Sequence, residues 1–247
     1  MSNKVCALIP VYNNHMTLEK VVSHVQQYIN QIIIVDDGSD DGTETIVDAL
    51  CEKSPEDIYI FHQPVNTGKG AAIQLGLEMA RYRNFTHALQ IDADGQHDIE
   101  DIPRFLELAS ESPGSFILGD PVYGEDIPAI RKHGRKLTKA MVALESGTLQ
   151  MPDAMCGYRI YPVTEICKLG KLSQRMSYDP EVLIHAHWKG IPIRTLPTKV
   201  RYLSAEEGGI SHFRMVRDNI LNVLIHTKLL LQSPFRLLLR KIITTPQ

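Results

Sequence analysis

No two of the four cysteines, Cys6, Cys51, Cys156 and Cys167, have the close spacing that zinc sites and redox motifs need. Both classes are excluded, and a reducing cytoplasm is expected. The opening MSNKVCALIPVYNN is too polar for a signal peptide. No run reaches about 18 uninterrupted apolar residues, since even the C-terminal stretch is broken by His226, Lys228, Gln232 and Arg236. An integral membrane span is therefore not expected. Repeats and low-complexity segments are also missing, and a net charge of −3 argues against a broadly basic nucleic-acid-binding body.

What is present is ordinary globular composition, 43% hydrophobic and 22% charged, enough to bury a core. A chain of 247 residues fits one α/β domain with an appendage. The division is expected at the glycine-containing stretch Glu206-Glu207-Gly208-Gly209, giving a main domain over 1–210 and a basic tail over 211–247. From Phe213 onward Arg214, Arg217, Lys228, Arg236, Arg240 and Lys241 face one acid, Asp218. Phe213, Val216, Ile220, Val223, Leu224 and Leu230 recur at helical spacing, and Ser233-Pro234 is expected to divide the tail into two amphipathic helices. Basic amphipathic helices suit an anionic membrane surface, and a solvated helix pair is the alternative.

The N-terminal half alternates strand and helix. Lys4–Ile9 is apolar and is followed by Leu18, Val21, Val22, Val25 and Ile29 at helical spacing. Ile32–Val35 is followed by a helix bearing Ile46, Val47 and Leu50, Ile58–Phe61 by a helix over Gly70–Ala80, and His87–Ile91 by Asp92-Ala93-Asp94. Near-continuous apolar strands alternating with helices imply a mainly parallel sheet covered on both faces, with ligands at the carboxyl ends of the strands. Further on, a strand at Phe116–Leu118, helices near Ala129–Leu144 and Pro180–His187, and extended segments at Pro192–Leu196 and Lys199–Leu203 are expected.

Polar clusters fall at those strand ends. Asp92 and Asp94 follow a buried strand, where two carboxylates can share Mg²⁺ or Mn²⁺ with a diphosphate, and Gln96 can add a further oxygen. Asp98-Ile99-Glu100-Asp101 reads as the acidic first turn of the next helix. Asp36-Asp37-Gly38-Ser39 can accept hydrogen bonds from ribose or a base, or can simply cap a helix. Asn66-Thr67-Gly68-Lys69-Gly70 opens a helix and offers backbone donors and an ammonium to a nucleotide. It is not a P-loop, which would need glycine at 63 and Ser or Thr at 70, where Gln63 and Gly70 stand; no Gly-x-Gly-x-x-Gly follows the first strand either.

Together, Pro10-Val11-Tyr12-Asn13-Asn14, Val35 through Thr43, Asn66-x-Gly68-Lys69-Gly70 and Asp92-Ala93-Asp94-Gly95-Gln96-His97 resemble the signature of family 2 glycosyltransferases with the GT-A fold. Within that family the likeness is to the dolichyl- or polyprenyl-phosphate sugar synthases, over about residues 4–210. The resemblance implies an inverting, metal-dependent transfer from a nucleotide-diphosphate sugar to a lipid-linked acceptor, polyprenyl phosphate or a hydroxylated lipid, at the inner face of the cytoplasmic membrane. It places Pro10, Tyr12, Asn14, Asp36, Asp37, Lys69, Asp92, Ala93 and Asp94 at the donor, and Asp92, Asp94 and Gln96 at the metal. Arg201 resembles the arginine that approaches the diphosphate. Asp153-Ala154-Met155-Cys156-Gly157-Tyr158-Arg159 and Asp179-Pro180-Glu181 resemble acceptor-side segments, so Asp153, Asp179 and Glu181 are candidate bases. His212, Arg214 and Arg217 can bind an acceptor phosphate or lipid headgroup.

The chain departs from those synthases at Gly119-Asp120-Pro121-Val122-Tyr123, where they carry Gly-Ser-Arg-Tyr, and at Ser211-His212, where they carry Ser-Lys. Two other readings compete. A nucleotidyltransferase would need a basic glycine-rich loop where Pro10–Asn14 stands, and a non-catalytic sugar-nucleotide-binding protein would be expected to have lost Asp92 or Asp94.

Overall fold

The computed structural model describes residues 3–122, 129–200 and 215–244. Strands β1 (Val5–Val11), β2 (Ile32–Asp36), β3 (Ile58–His62) and β4 (His87–Gln90) alternate with helices α1 (Leu18–Val25), α2 (Thr43–Lys53) and α3 (Lys69–Tyr82). A 3-10 turn at Ile99–Asp101 leads into α4 (Ile102–Glu111), β5 (Phe116–Val122), α5 (Ala129–Ser146), β6 (Arg159–Pro162), α6 (Val163–Cys167), α7 (Tyr178–Trp188), β7 (Ile193–Lys199) and α8 (Met215–Thr244).

The seven strands form one sheet in the order β3-β2-β1-β4-β6-β5-β7. The first four strands in that order are mutually parallel; β6 runs antiparallel to both β4 and β5, and β7 is parallel to β5. The sheet is therefore mainly parallel, as expected. Alternation along β1 builds two cores. Cys6 and Leu8 face Ile73 and Leu77 of α3 and Val182 and Leu183 of α7, while Ala7, Ile9 and Val11 face α1, α2 and α4. With both faces covered, β2 must be apolar throughout, which accounts for its Ile-Ile-Ile-Val run.

Because the register aligns Val11 with Asp36 and Asp36 with His62, the loops after β1, β2 and β3 leave the sheet side by side. β4 ends on the same edge, so Asp92 and Asp94 join them. The polar clusters of the N-terminal half thus meet on one rim.

The expected break at Ser233-Pro234 does not occur: α8 runs through Pro234 as one helix. An internal proline costs about 3 kcal/mol, whereas Ile225 and Leu229, buried against the body, contribute about 1.5–3 kcal/mol each. Packing outweighs the missing backbone hydrogen bond, so the tail is a single helix here. The expected division at residue 210 lies outside the described residues. The extended segment expected at Lys199–Leu203 is described only to Val200, of which Lys199 ends β7 and Val200 makes an isolated bridge to His97.

Two side-chain contacts fasten α8. His226 Nδ1 lies 2.7 Å from Glu145 Oε1 in α5, both side chains buried, and Lys228 Nζ lies 3.0 Å from Glu181 Oε1 in α7. Removing the imidazole leaves a buried carboxylate without that partner. His226→Ala is expected to cost about 1–3 kcal/mol in urea unfolding; a change below about 0.5 kcal/mol, the range of ordinary surface substitutions, would show that this pair does not fasten the helix.

Candidate active site at the carboxyl ends of the strands

Side-chain bonds to backbone sew the rim loops together. Ser39 Oγ accepts from Asn13 N at 3.0 Å, Thr43 Oγ1 accepts from Asn14 N at 2.9 Å, and Asn13 Nδ2 donates to Asp40 Oδ1 at 2.8 Å. Thr17 Oγ1, at the start of α1, donates to the carbonyl of Ala93 at 2.6 Å and so ties the β1 loop to the β4 loop. Tyr12 is half-buried on this rim, and Pro10 is a buried part of β1. The amide Nδ2 of Asn14 is buried and has no hydrogen-bond partner among the described residues.

The two acids of the β2 loop hold the loop itself. Asp36 accepts from Ser39 N and Oγ and lies 2.8 Å from His62 Nδ1. Burial alone would lower the His62 pKa, but Asp36 and Asp48 outweigh it and raise it above 6.5. Asp37 accepts from Gln63 Nε2, Thr67 N and Thr67 Oγ1 on one oxygen and from Gly68 N at 2.7 Å on the other. Burial raises the Asp37 carboxyl against the pull of these bonds and of Arg175. Asp37 thus fixes where the backbone of the Asn66–Gly70 loop runs, while Asp36 holds its own loop at Ser39 and the end of β3 at His62.

The electrostatic centre is Asp92. Its Oδ2 lies 2.8 Å from Lys69 Nζ, at the start of α3, and its Oδ1 accepts from Gln90 Nε2 at 3.1 Å. His97 Nε2 lies 3.7 Å from the same Oδ2. Burial by itself would raise this carboxyl, but Lys69 and His97 overcome it and hold it well below the usual carboxylate range. Burial likewise works against the Lys69 ammonium, and Asp92 and Asp179 more than compensate, pushing its pKa above the ordinary lysine value. Asp94 goes the other way: burial first, then the charge of Asp92, raise its pKa. Its Oδ1 accepts from the backbone N–H of Gln96 at 3.0 Å.

A third carboxylate joins from the second half of the chain. Asp179, in the first turn of α7, places Oδ2 3.7 Å from Lys69 Nζ and Oδ1 3.2 Å from Arg159 Nη1. Arg159 is fully buried and also donates to the carbonyls of Cys156 and Ala154, each at 2.6 Å. It thereby clamps the loop in which Gly157 sits against Asp92. A Cβ on Gly157 would overlap the Asp92 carboxylate, so only glycine allows this approach. These two roles were missed in the sequence; an arginine opening the otherwise apolar strand Arg159–Pro162 was the available signal.

The remaining candidates separate. Asp153 Oδ1 accepts from Met155 N at 2.8 Å on the same loop. Glu181 is not brought to Asp92: its oxygens meet Ser173 N at 2.6 Å and Lys228 at 3.0 Å, and the residue is buried. Arg217 is exposed on α8. Arg201, His212 and Arg214 lie outside the described residues. Asp98 and Asp101 take the structural role expected of them, Asp98 accepting from Glu100 N at 3.2 Å and Asp101 pairing with Arg104 at 2.6 Å.

No group of three or more His, Cys, Asp or Glu side chains converges as a metal site among the described residues. The donors that fit a hard cation are the carboxylates of Asp92 and Asp94. Two carboxylates suit Mg²⁺ or Mn²⁺ drawing its other ligands from phosphate and water. On the same rim, Asn14 Nδ2 and His97 Nδ1 are buried without a hydrogen-bond partner among the described residues.

Comparison with known proteins agrees with this geometry. The model of "Glycosyl transferase family 2" matches residues 6–165. A dolichyl-phosphate beta-glucosyltransferase of Trichomonas vaginalis is 27% identical over 238 residues, 88% of this chain and 72% of that protein. A polyprenol monophosphomannose synthase of Mycolicibacterium smegmatis is 32% identical over 108 residues, 43% of this chain and 41% of that protein. Glucosyl-3-phosphoglycerate synthase of Mycobacterium tuberculosis, solved with Mn²⁺, UDP and glucosyl-3-phosphoglycerate, superposes with a TM-score of 0.67 at 16% identity, over 91% of this chain and 80% of that one. The likeness to that structure is one of fold.

Displacing Asp92 is the most direct way to disturb the rim. Gly157→Ala is expected to weaken Mn²⁺-dependent binding of UDP or GDP by about 10–100-fold, the usual effect of losing support behind a metal ligand. Calorimetric titration, with circular dichroism as the folding check, reads this out; undiminished binding would mean that the Asp92 position does not depend on the close approach.

Proposed function

The chain belongs to glycosyl transferase family 2, and from that premise we propose that it transfers a sugar from a nucleotide-diphosphate sugar to a polyprenyl-phosphate-type lipid acceptor at a membrane surface. The observation that carries the reading is the pair Asp92 and Asp94 at the end of β4, faced by Lys69 at the start of α3. That arrangement places two carboxylates and an ammonium where a nucleoside diphosphate meets the parallel strands. Relatives named for dolichyl phosphate and polyprenol acceptors support the acceptor class.

In this reading Asp92 and Asp94, with Gln96 beside them, would hold Mg²⁺ or Mn²⁺, which when bound would supply Lewis-acid neutralisation of charge on the leaving diphosphate. Tyr12 lies against the base, Asn14 Nδ2 donates to the nucleotide, and Asp36 and Asp37 hold the surrounding loops. The acceptor phosphate oxygen attacks the anomeric carbon, the bond from that carbon to the diphosphate oxygen breaks, and the nucleoside diphosphate leaves with the electron pair. A single displacement of this kind inverts the anomeric centre. A phosphate acceptor is already anionic near neutral pH and needs no general base. Asp179, held by Arg159 and Lys69, and Asp153 then position groups around the acceptor.

We assign the membrane contact to α8. Ile220, Val223, Leu224 and Leu231 are each more than half exposed, at 55%, 66%, 60% and 79%. Their spacing puts them on one face, flanked by exposed Arg217 and Lys228, while Ile225 and Leu229 face the body. No helix among the described residues is long and apolar enough to cross a membrane. A basic-flanked apolar stripe suits reversible contact with anionic lipid.

The activity test incubates the protein and Mn²⁺ with UDP-glucose or GDP-mannose and with dolichyl or undecaprenyl phosphate, and measures sugar incorporation into lipid. One donor is expected to label lipid, with chelation abolishing transfer. Asp94→Ala is expected to lower kcat by about 100-fold or more with the fold retained; unchanged transfer at saturating donor would remove Asp94 from the metal site. For the membrane contact, Leu224→Glu with Leu231→Glu is expected to reduce salt-sensitive sedimentation with phosphatidylglycerol liposomes at least about tenfold. Equal sedimentation would move the contact off α8.

A further inference from the structure

Lys69 stands where two kinds of cation compete for one oxygen. Its Nζ is 2.8 Å from Asp92 Oδ2 and only 3.7 Å from Asp179 Oδ2, and the side chain is largely enclosed. Asp92 Oδ1 already accepts from Gln90, itself held by the Tyr161 hydroxyl at 2.7 Å. A divalent cation seeking Asp92 therefore meets an oxygen that carries an ammonium.

The surroundings allow the lysine to move only at its side chain. A Cβ on Gly68 would come within 2.6 Å of Arg175 Cγ and 2.7 Å of the Gln174 carbonyl, and one on Gly70 within 2.5 Å of Tyr178 Cβ. The backbone on both sides of Lys69 is wedged against the loop before α7. Any movement of the ammonium therefore comes from rotation of the four-carbon stem, and Asp179 offers a second carboxylate 3.7 Å away.

We propose that Lys69 is an exchangeable counter-cation: it neutralises Asp92 in the nucleotide-free protein and yields that carboxylate to the divalent metal when the donor arrives, turning to Asp179 and the incoming diphosphate. This rests on the reading that Asp92 and Asp94 hold the metal. With Lys69 and Arg159 against Asp92, Asp94 and Asp179, the cluster carries one net negative charge before ligand, too little to draw a divalent cation strongly. The diphosphate supplies the missing negative charge and a new partner for the ammonium. Metal and nucleotide therefore bind with positive linkage, each strengthening the other. The lysine keeps the metal site closed until a donor is present.

The test titrates Mn²⁺ into the nucleotide-free full chain, following free Mn²⁺ by electron paramagnetic resonance, in wild type, Lys69→Gln and Lys69→Arg. Lys69→Gln is expected to bind Mn²⁺ at least about tenfold more tightly than wild type, because the competing charge is gone. The factor by which Mn²⁺ strengthens UDP or GDP binding is expected to shrink in the same variant. Lys69→Arg, which keeps the charge, is expected to remain within about threefold of wild type in nucleotide-free Mn²⁺ affinity, and circular dichroism confirms folding of each protein. Lys69→Gln binding Mn²⁺ no more tightly than wild type overturns the exchange. Asp92→Asn separates the two readings: if it abolishes Mn²⁺-dependent nucleotide binding while Lys69→Gln gains nothing, the metal site stands and the exchange fails. If Asp92→Asn leaves that binding intact, the metal site is elsewhere and the exchange falls with it.

Discussion

A carboxylate held in a buried setting must have its charge answered, and the rim of this sheet is organised around that requirement at Asp92. Lys69 answers it across the start of α3, Gln90 supports it from the last position of β4, and Gly157 gives it room. Arg159 then fixes the Gly157 loop and, through Asp179, places a third carboxylate beside Lys69. The first and second halves of the chain meet chemically at this point. Stability and function are coupled there, because the groups that balance Asp92 are the same groups that a diphosphate and its cation would engage.

Around that centre the fold does simple work. Parallel strands bring the ends of β1, β2 and β4 to one edge, and the loops there are bonded to each other more than to themselves: Asn13 to Ser39, Asn14 to Thr43, Thr17 to Ala93. Asp36 and Asp37 show how a polar motif at a strand end can act through the backbone. Their oxygens accept from Ser39, Thr67 and Gly68 and lie against His62, so they hold the backbone of the rim loops. Helix α8 packs against α5 and α7, and Lys228 pairs with Glu181 across the α7–α8 contact, giving Glu181 a fastening role.

The N-terminal half was legible in the sequence because its signals are local. An apolar run of four or five residues, a polar cluster and an amphipathic stretch each reveal strand, rim and helix without knowledge of the partner. The reversed strand Arg159–Pro162 and the role of Arg159 were not legible, since they depend on Asp179, 20 residues away, and on carbonyls that no spacing rule singles out. Pro234 misled for a related reason. Its local penalty is real, but Ile225 and Leu229 bury enough surface to carry the helix through it. Glu181 was grouped with Asp179 through the resemblance of Asp179-Pro180-Glu181 to an acceptor-side segment, yet on a helix two residues of spacing turn the side chains in different directions, one toward Lys69 and the other toward Lys228.

The most direct measurement is calorimetric titration of UDP and of GDP onto the full chain, with Mn²⁺ and again after chelation, in wild type and in an Asp92→Asn, Asp94→Asn double variant. Tight binding of one nucleotide that needs both the cation and the two carboxylates is the expected result. Binding that is equally tight without Mn²⁺, or that survives in the double variant, would contradict a diphosphate held through a metal at the end of β4.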